Sequence, residues 1–457
     1  MNLSGLLEVI MVLSLIESAR NVERRSVEDI LFKARECRGL NLEEVACLLN
    51  IEDEEQLNLL YETAKYVKNR VYGKRVVLFA PLYTSNECTN NCLYCGFRRD
   101  NKELHRKTLT KEEIINEAKE IEGQGHKRIL LICGEDPQKT NVKHITSSME
   151  LIYKNTNIKR INVETAPMKV EEYRQLKEAG IGTYVIFQET YNREVYKKMH
   201  PVGLKSDYDY RITAIDRAFE AGIDDVGVGA LLGLYDYKYE VLNLLTHCMS
   251  FEKKYGVGPH TISVPRLRPA LGWGLKEIPY PVCDSDFKKI ISIYRLAVPY
   301  TGIILSTRES PELRDELLSL GVSQISAGSK TNPGGYKEND QKADQFEVSD
   351  HRSLSKVLAT ICDKGYIPSF CTACYRRCRT GEAFMEYAKE GEIHEFCQPN
   401  AILTFKENLL DYGDQSLNKL GSELIEKALE EIQDDKMKEL VKEKLIEIEK
   451  GKRDIYF

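Results

Sequence analysis

A closed (β/α)8 barrel of the α/β class, flanked by a helical extension and a helical C-terminal domain, is the fold this sequence predicts. Three observations carry it. The chain has 457 residues, too many for one small core and enough for a barrel with additions. Eight short β-branched runs alternate with amphipathic helical stretches, the pattern of parallel strands covered on both faces. Nearly every run ends in polar residues, as in barrels whose chemistry gathers at the C-terminal strand ends.

Composition narrows the class of function. The hydrophobic fraction is 42%, ordinary for a globular protein. A net charge of −6 advertises no nucleic-acid partner. Thirteen cysteines in a long chain, clustered in pairs and triplets, point to metal rather than to disulfides. A reducing cytoplasm and an oxygen-sensitive protein follow as expectations. Leu6–Ile16 lacks the basic flank and cleavage site of a leader and is too short to span a bilayer, so an amphipathic helix, and no membrane association, is expected there.

Taken in order, residues 1–72 read as a helical extension. Ser26-Val27-Glu28-Asp29 looks like a helix N-terminus, Leu40-Asn41-Leu42-Glu43-Glu44 begins another helix, and Leu57–Val71 has helical periodicity. Cys37 and Cys47 read as isolated buried thiols. The barrel is expected over 73–345. Its strands are Arg75–Tyr83, Lys127–Cys133, Arg160–Ala166, Thr183–Glu189, Asp225–Leu234, Thr261–Leu267, Thr301–Thr307 and Val322–Gly328. Lys111–Gln124, Val170–Ala179 and Asp209–Ala221 read as helices between them. Lys337–Gln345 is polar and reads as a linker or mobile loop. A C-terminal domain over 346–457 opens with a helix at Ser353–Lys364 and closes with charged helices over Ser416–Lys452, of which Leu424–Lys450 reads as one packed helix.

Cys88, Cys92 and Cys95 stand at C-x3-C-x2-C spacing just past the first strand. Thiolates so spaced on one loop can hold three irons of a 4Fe–4S cube, leaving the fourth iron open to a small molecule. A zinc loop would want a fourth ligand, and none lies nearby. Cys371, Cys374 and Cys397 form a second trio. A second cube with one open iron is the sharper reading of it, while a zinc site completed by His394 or Cys378 stays open.

With Tyr94 and Gly96-Phe97 completing it, the first motif resembles the radical S-adenosylmethionine (SAM) superfamily. Further stretches narrow the resemblance: Phe187-Gln188-Glu189-Thr190-Tyr191, Gly258-Pro259-His260-Thr261-Ile262-Ser263-Val264-Pro265-Arg266, Phe370–Arg376, and Phe396-Cys397-Gln398-Pro399-Asn400. They are similar to the radical SAM tyrosine lyases that mature FeFe-hydrogenase. The barrel motifs are shared with the thiamine-pathway tyrosine lyases; the C-terminal cysteine trio separates the two.

The resemblance implies a two-site reaction. SAM at the first cluster yields an adenosyl radical, and L-tyrosine is cleaved between Cα and Cβ to p-cresol and dehydroglycine. At the second cluster dehydroglycine becomes CO and cyanide, captured on an additional iron held with a cysteine. Implied partners are a ferredoxin- or flavodoxin-type electron donor and a hydrogenase-maturation scaffold protein. By residue, the resemblance assigns Cys88, Cys92 and Cys95 to the SAM cluster and Cys371, Cys374 and Cys397 to the second. His260 is assigned to the additional iron. Gly134, Glu135, Asp136, Glu164 and Arg266 are assigned to SAM. Gln188, Glu189 and Tyr191 are placed near the sugar or substrate. Arg308 is expected to clamp the tyrosine carboxylate, because a guanidinium fork matches a carboxylate bidentately.

Three departures bear on these expectations. Cys378 stands where the family has glycine and reads as a tolerated substitution. Val163-Glu164-Thr165-Ala166-Pro167-Met168 looks closer to the thiamine-pathway lyases. Cys133 also departs and reads as a buried thiol. The alternative reading is therefore a lyase forming 2-iminoacetate, from tyrosine or another amino acid.

Overall fold

The computed structural model describes residues 3–20, 24–338, 340–377, 379–390 and 393–457; Cys378 lies outside them. Four helices precede the sheet: Leu3–Ser18, Arg24–Ala34, Leu42–Leu49 and Glu54–Tyr72. Ser26 does not start the second, which begins two residues earlier. Asn41 does start the third. Its side chain accepts from the Glu44 N–H at 2.9 Å, and the Glu44 carboxylate accepts from the Asn41 N–H at 2.9 Å, a reciprocal cap. Lys68, on the fourth helix, is fully buried and donates to the Leu318 carbonyl at 2.6 Å. That bond ties the extension to the barrel's outer layer.

Eight parallel strands close the barrel: β1 Arg75–Ser85, β2 Arg128–Cys133, β3 Arg160–Glu164, β4 Tyr184–Glu189, β5 Val226–Ala230, β6 Thr261–Ser263, β7 Gly302–Leu305 and β8 Gln324–Ser326. Each pairs with the next, and β1 pairs with both β2 and β8. The two glycines of β5 explain how the lumen is filled. A Cβ on Gly229 would lie 2.7 Å from the Phe187 ring, and one on Gly227 would lie 2.5 Å from Thr261 Oγ1. Larger neighbours occupy the space those side chains would need.

Asp209–Ala221 is not one helix. It divides at Thr213 into Tyr208–Ile212 and Ala214–Glu220, where the Thr213 hydroxyl donates back to the Asp209 carbonyl at 2.8 Å. The expected tail helix likewise divides, into Gln415–Glu430 and Asp435–Glu449, the second capped by Asp434.

A ninth strand, β9 Ile367–Ser369, adds in parallel to the first residues of β1, with Arg75 opposite Ile367. This pairing fixes the geometry of the whole protein. The Cys371 loop follows β9 and so hangs at the N-terminal mouth of the barrel. The Cys88 loop follows the far end of β1; Ser369, where the Cys371 loop begins, lies opposite Val77, and the run from Val77 to Ser85 at ~3.3 Å per residue puts the two loops roughly 26 Å apart. Among the described residues no helix is long and apolar enough to cross a membrane.

Candidate active site and second cysteine centre

Cys88, Cys92 and Cys95 line one cavity at the C-terminal mouth, enclosing about 920 Å³ of empty space with its opening included. The loop is pressed onto the end of β2. Thr89 donates its N–H to the Glu135 carbonyl at 2.8 Å, and Gly134 donates to the Ser85 carbonyl at 2.9 Å. A Cβ on Gly134 would stand 2.3 Å from the Glu87 carbonyl oxygen, so the close approach requires glycine. The Glu135 carboxylate accepts from Asn90 Nδ2 at 2.5 Å. Burial pushes the Cys95 thiol up to about 11 and raises Cys88 and Cys92 as well, so iron binding at this loop must displace protons.

No three His, Cys, Asp or Glu side chains among the described residues converge as a single ion would require. A four-iron cube is far bulkier than one ion, and thiols ringing an open cavity suit it. The residues present therefore fit the cluster that the motif implies.

The same cavity is lined by Gly134, Glu135, Glu164, Glu189 and Arg308, all expected there. Glu189 carries a positive φ of 70°, a strained conformation for a side-chain-bearing residue, at a register shift between β4 and β5. The kink turns its carboxylate to Lys205, at 2.6 Å, and Arg211, at 3.6 Å. Burial opposes its charge, but these two cations overcome that and hold the carboxyl below its usual range. Among the described residues Glu164 has no such ion pair. Burial, and then the charge of Glu189, push it up to about 7. Lys205 and Arg211 are site residues that sequence reading missed; they sit on helical segments far from any motif.

Four expected residues face elsewhere. Along β4, Phe187 and Glu189 line the cavity, so Gln188 between them points outward, buried with its amide nitrogen unpartnered. Tyr191 is buried behind the sheet, with its hydroxyl 3.0 Å from His247 Nδ1. Arg266 is taken up by Glu309, at 3.0 Å, and Asp284, at 2.8 Å. Asp136 shapes its own turn, accepting from the Gln138 N–H at 2.9 Å; it borders a neighbouring groove shared with Glu135, Thr165 and Ala166. Cys133, expected to be buried, lines the mouth cavity, with its sulfur 3.7 Å from Thr165 Oγ1.

Lys337–Gln345 is not a linker. Lys107 pairs with Glu338 at 2.9 Å and His105 with Asp340 at 2.9 Å, and the segment closes over the mouth. Phe346, just beyond it, lies under Arg308, whose guanidinium carbon is 3.4 Å from the ring centroid. Among the described residues the Arg308 fork makes no hydrogen bond to protein.

Below the mouth, a cavity of about 580 Å³ runs into the lumen, sharing Glu164, Phe187 and Arg308 with the first. Alternate residues of β1 trace the wall downward. Tyr83, Pro81 and Phe79 border this cavity, and Val77 and Arg75 border the next. The lower cavity holds Cys371, Cys374, Cys397 and His260 together. The His260 ring packs 4.4 Å from that of Phe384. Burial lowers its pKa, with Asp225 partly offsetting this, so the imidazole is neutral and able to donate a lone pair. Arg75 and Arg128 line the same cavity, and Arg128 donates to the Cys371 carbonyl at 3.0 Å. Cationic guanidiniums beside three thiols favour an anionic thiolate-bound centre.

Residues 82–247 match the Radical SAM superfamily, and residues 263–367 match the Biotin and Thiamin Synthesis associated domain. The 2-iminoacetate synthase of Escherichia coli (strain K12) is 32% identical over 338 residues, covering 74% of this chain and 88% of that protein. A crystal structure of HydG, a maturase of the FeFe-hydrogenase, has a TM-score of 0.95 at 52% identity, covering 98% of each chain. The X-ray structure of HydG from Carboxydothermus hydrogenoformans has a TM-score of 0.86 at 41% identity, covering 97% of this chain and 99% of that one.

Proposed function

The chain belongs to the radical SAM family that includes HydG and 2-iminoacetate synthase, and on that footing we propose that it is a tyrosine lyase that makes CO and cyanide for FeFe-hydrogenase assembly. L-Tyrosine would be cleaved at Cα–Cβ to p-cresol and dehydroglycine at the C-terminal mouth. Dehydroglycine would pass down the lumen and become CO and cyanide at the lower cavity. An iron with its cysteine is the cargo that leaves carrying them, for a maturation scaffold protein. A low-potential ferredoxin- or flavodoxin-type donor in the cytoplasm would supply electrons.

When bound, the first cluster and SAM supply a 5′-deoxyadenosyl radical. The chain's own residues do the rest. Cys88, Cys92 and Cys95 would ligate three irons at the upper site, and Cys371, Cys374 and Cys397 three at the lower, with His260 toward the cargo iron. Gly134 and Glu135 hold the upper loop in place. Glu164, with Glu189 beside it, offers acceptors to the ammonium groups of SAM and substrate. Arg308, backed by Phe346, presents an unengaged fork to the substrate carboxylate. The barrel wall and the 337–346 segment keep water from the reacting atoms.

The observation that carries this reading is the single interior wall running from Arg308 to His260, with a cysteine trio at each end. A second reading, a lyase that stops at 2-iminoacetate, is favoured by the Glu164-Thr165-Ala166 stretch lining the mouth, the stretch closest to the thiamine-pathway lyases. Anaerobic turnover with SAM and tyrosine separates the two. p-Cresol with CO and cyanide supports the proposal, p-cresol alone supports the second reading, and no p-cresol refutes the proposal and leaves a lyase acting on another amino acid.

A further inference from the structure

Gln345 touches both a cluster-loop cysteine and the wall of the lumen. Its backbone carbonyl accepts from the Gly96 N–H at 2.9 Å, and its own N–H donates to the Thr331 carbonyl at 3.0 Å. A Cβ on Gly96 would lie 2.8 Å from the Gln345 carbonyl and 2.6 Å from that of Asp344. Glycine there is what lets the segment lie against the cysteine loop. The side chain is oriented as well. The Tyr83 hydroxyl donates to Gln345 Oε1 at 2.8 Å. This leaves the amide nitrogen facing Cys95, with Nε2 3.9 Å from Sγ, the orientation that a ligating thiolate, which can only accept, requires. Tyr83 is itself held edge-on by Phe97, with ring centroids 5.9 Å apart.

We propose that Gln345 is a positioning residue for radical initiation: its amide N–H, aimed by the Tyr83 hydroxyl, bonds the Cys95 sulfur and sets the reduction potential of the cluster there. This rests on the reading that Cys88, Cys92 and Cys95 hold a 4Fe–4S cluster. One-electron reduction, from a low-potential iron–sulfur or flavin protein, adds one negative charge to the cluster and moves no proton. A donor aimed at a ligand sulfur stabilises the added charge and raises the potential. Tyr83 lines the lumen cavity together with Arg308. The orientation of the amide is thus set from the side on which substrate would lie.

The test is a redox titration followed by electron paramagnetic resonance on anaerobically reconstituted, full-length protein. It compares Gln345→Leu, Gln345→Glu and Tyr83→Phe with the wild type, in a Cys371→Ala/Cys374→Ala background so that one cluster is read. The potential is expected to move more negative in Gln345→Leu, further in Gln345→Glu, and by a smaller shift in Tyr83→Phe. SAM cleavage should fall with a weak reductant and recover with a strong one. Wild-type potentials in both Gln345 variants, at equal iron content, overturn the inference. Should Gln345→Leu fail to load iron, Gln345→Glu and Tyr83→Phe decide the same question. A wild-type protein that forms no cluster at the Cys88 loop sinks the underlying reading instead, a distinct result.

Discussion

Arg308 stacks on Phe346, with its guanidinium carbon 3.4 Å from the ring centroid, and leaves its fork toward the lumen. Arg266 and Arg268, which follow the preceding strand β6, are both held by Glu309. The contrast identifies which arginine is available to a substrate carboxylate. Arg308→Lys keeps the charge but loses the fork, and a lost charge-assisted bond is worth about 1.5–3 kcal/mol. The KM for tyrosine should rise roughly 10- to 100-fold, while SAM binding is unchanged. Steady-state p-cresol kinetics and SAM titration check this.

Gly134→Ala places a methyl group 2.3 Å from the Glu87 carbonyl oxygen. Either the Cys88 loop or the end of β2 must move, at a cost of about 1–3 kcal/mol. Reconstituted protein should lose the upper-site cluster signal and keep the lower one. Resolving the two signals spectroscopically, beside total iron content, measures it.

His260→Ala should leave p-cresol formation within about twofold of wild type, since the residue is a barrel length from the mouth. The lower cluster should still assemble on its three thiols, but the additional iron and the release of CO should be lost. Mössbauer spectra of iron-57-loaded protein and a CO-binding assay read the two effects separately.

Glu240 is fully buried and accepts from the Thr190 hydroxyl and the Tyr191 N–H. Burial pushes its pKa up from 4.5 to about 8. A raised folded pKa means the native state holds the proton over that window. Its contribution to stability is full below about pH 4.5 and is lost as pH rises through about 8. Glu240→Gln should therefore flatten this loss, being the more stable protein above pH 8 and near wild type or weaker at pH 6. Urea unfolding at the two pH values checks the crossover.

How much of this was legible in the sequence follows from what kind of signal each element carries. The eight barrel strands are near-continuous apolar runs, and burial on both faces imposes that. β9 is three residues with a proline at its centre, too short and too irregular to announce itself, although it places the second cysteine trio. Cysteine spacing located the Cys88 trio and the Cys371–Cys374 pair because a loop that ligates a cluster is local, whereas Cys397 comes from a separate helix, Ile393–Tyr412. Side-chain direction is not local. The kink at Glu189 turns its carboxylate onto Lys205 and Arg211, and no local pattern announces it. Arg266 stands at a strand end as a ligand residue would, but Glu309, 43 residues on, holds it. Lys337–Gln345 is polar because its side chains pair with distant partners such as Lys107 and Tyr83, and no short-range pattern distinguishes that from a linker.

The central claim is one lumen joining two cysteine sites with divided labour. Its most direct measurement compares anaerobic turnover of tyrosine by wild-type protein and by the Cys371→Ala/Cys374→Ala variant, assaying p-cresol, CO and cyanide together. Wild type should release all three; the variant should release p-cresol and neither diatomic. Wild-type levels of CO and cyanide from the variant, or CO and cyanide without p-cresol from either protein, would contradict the account.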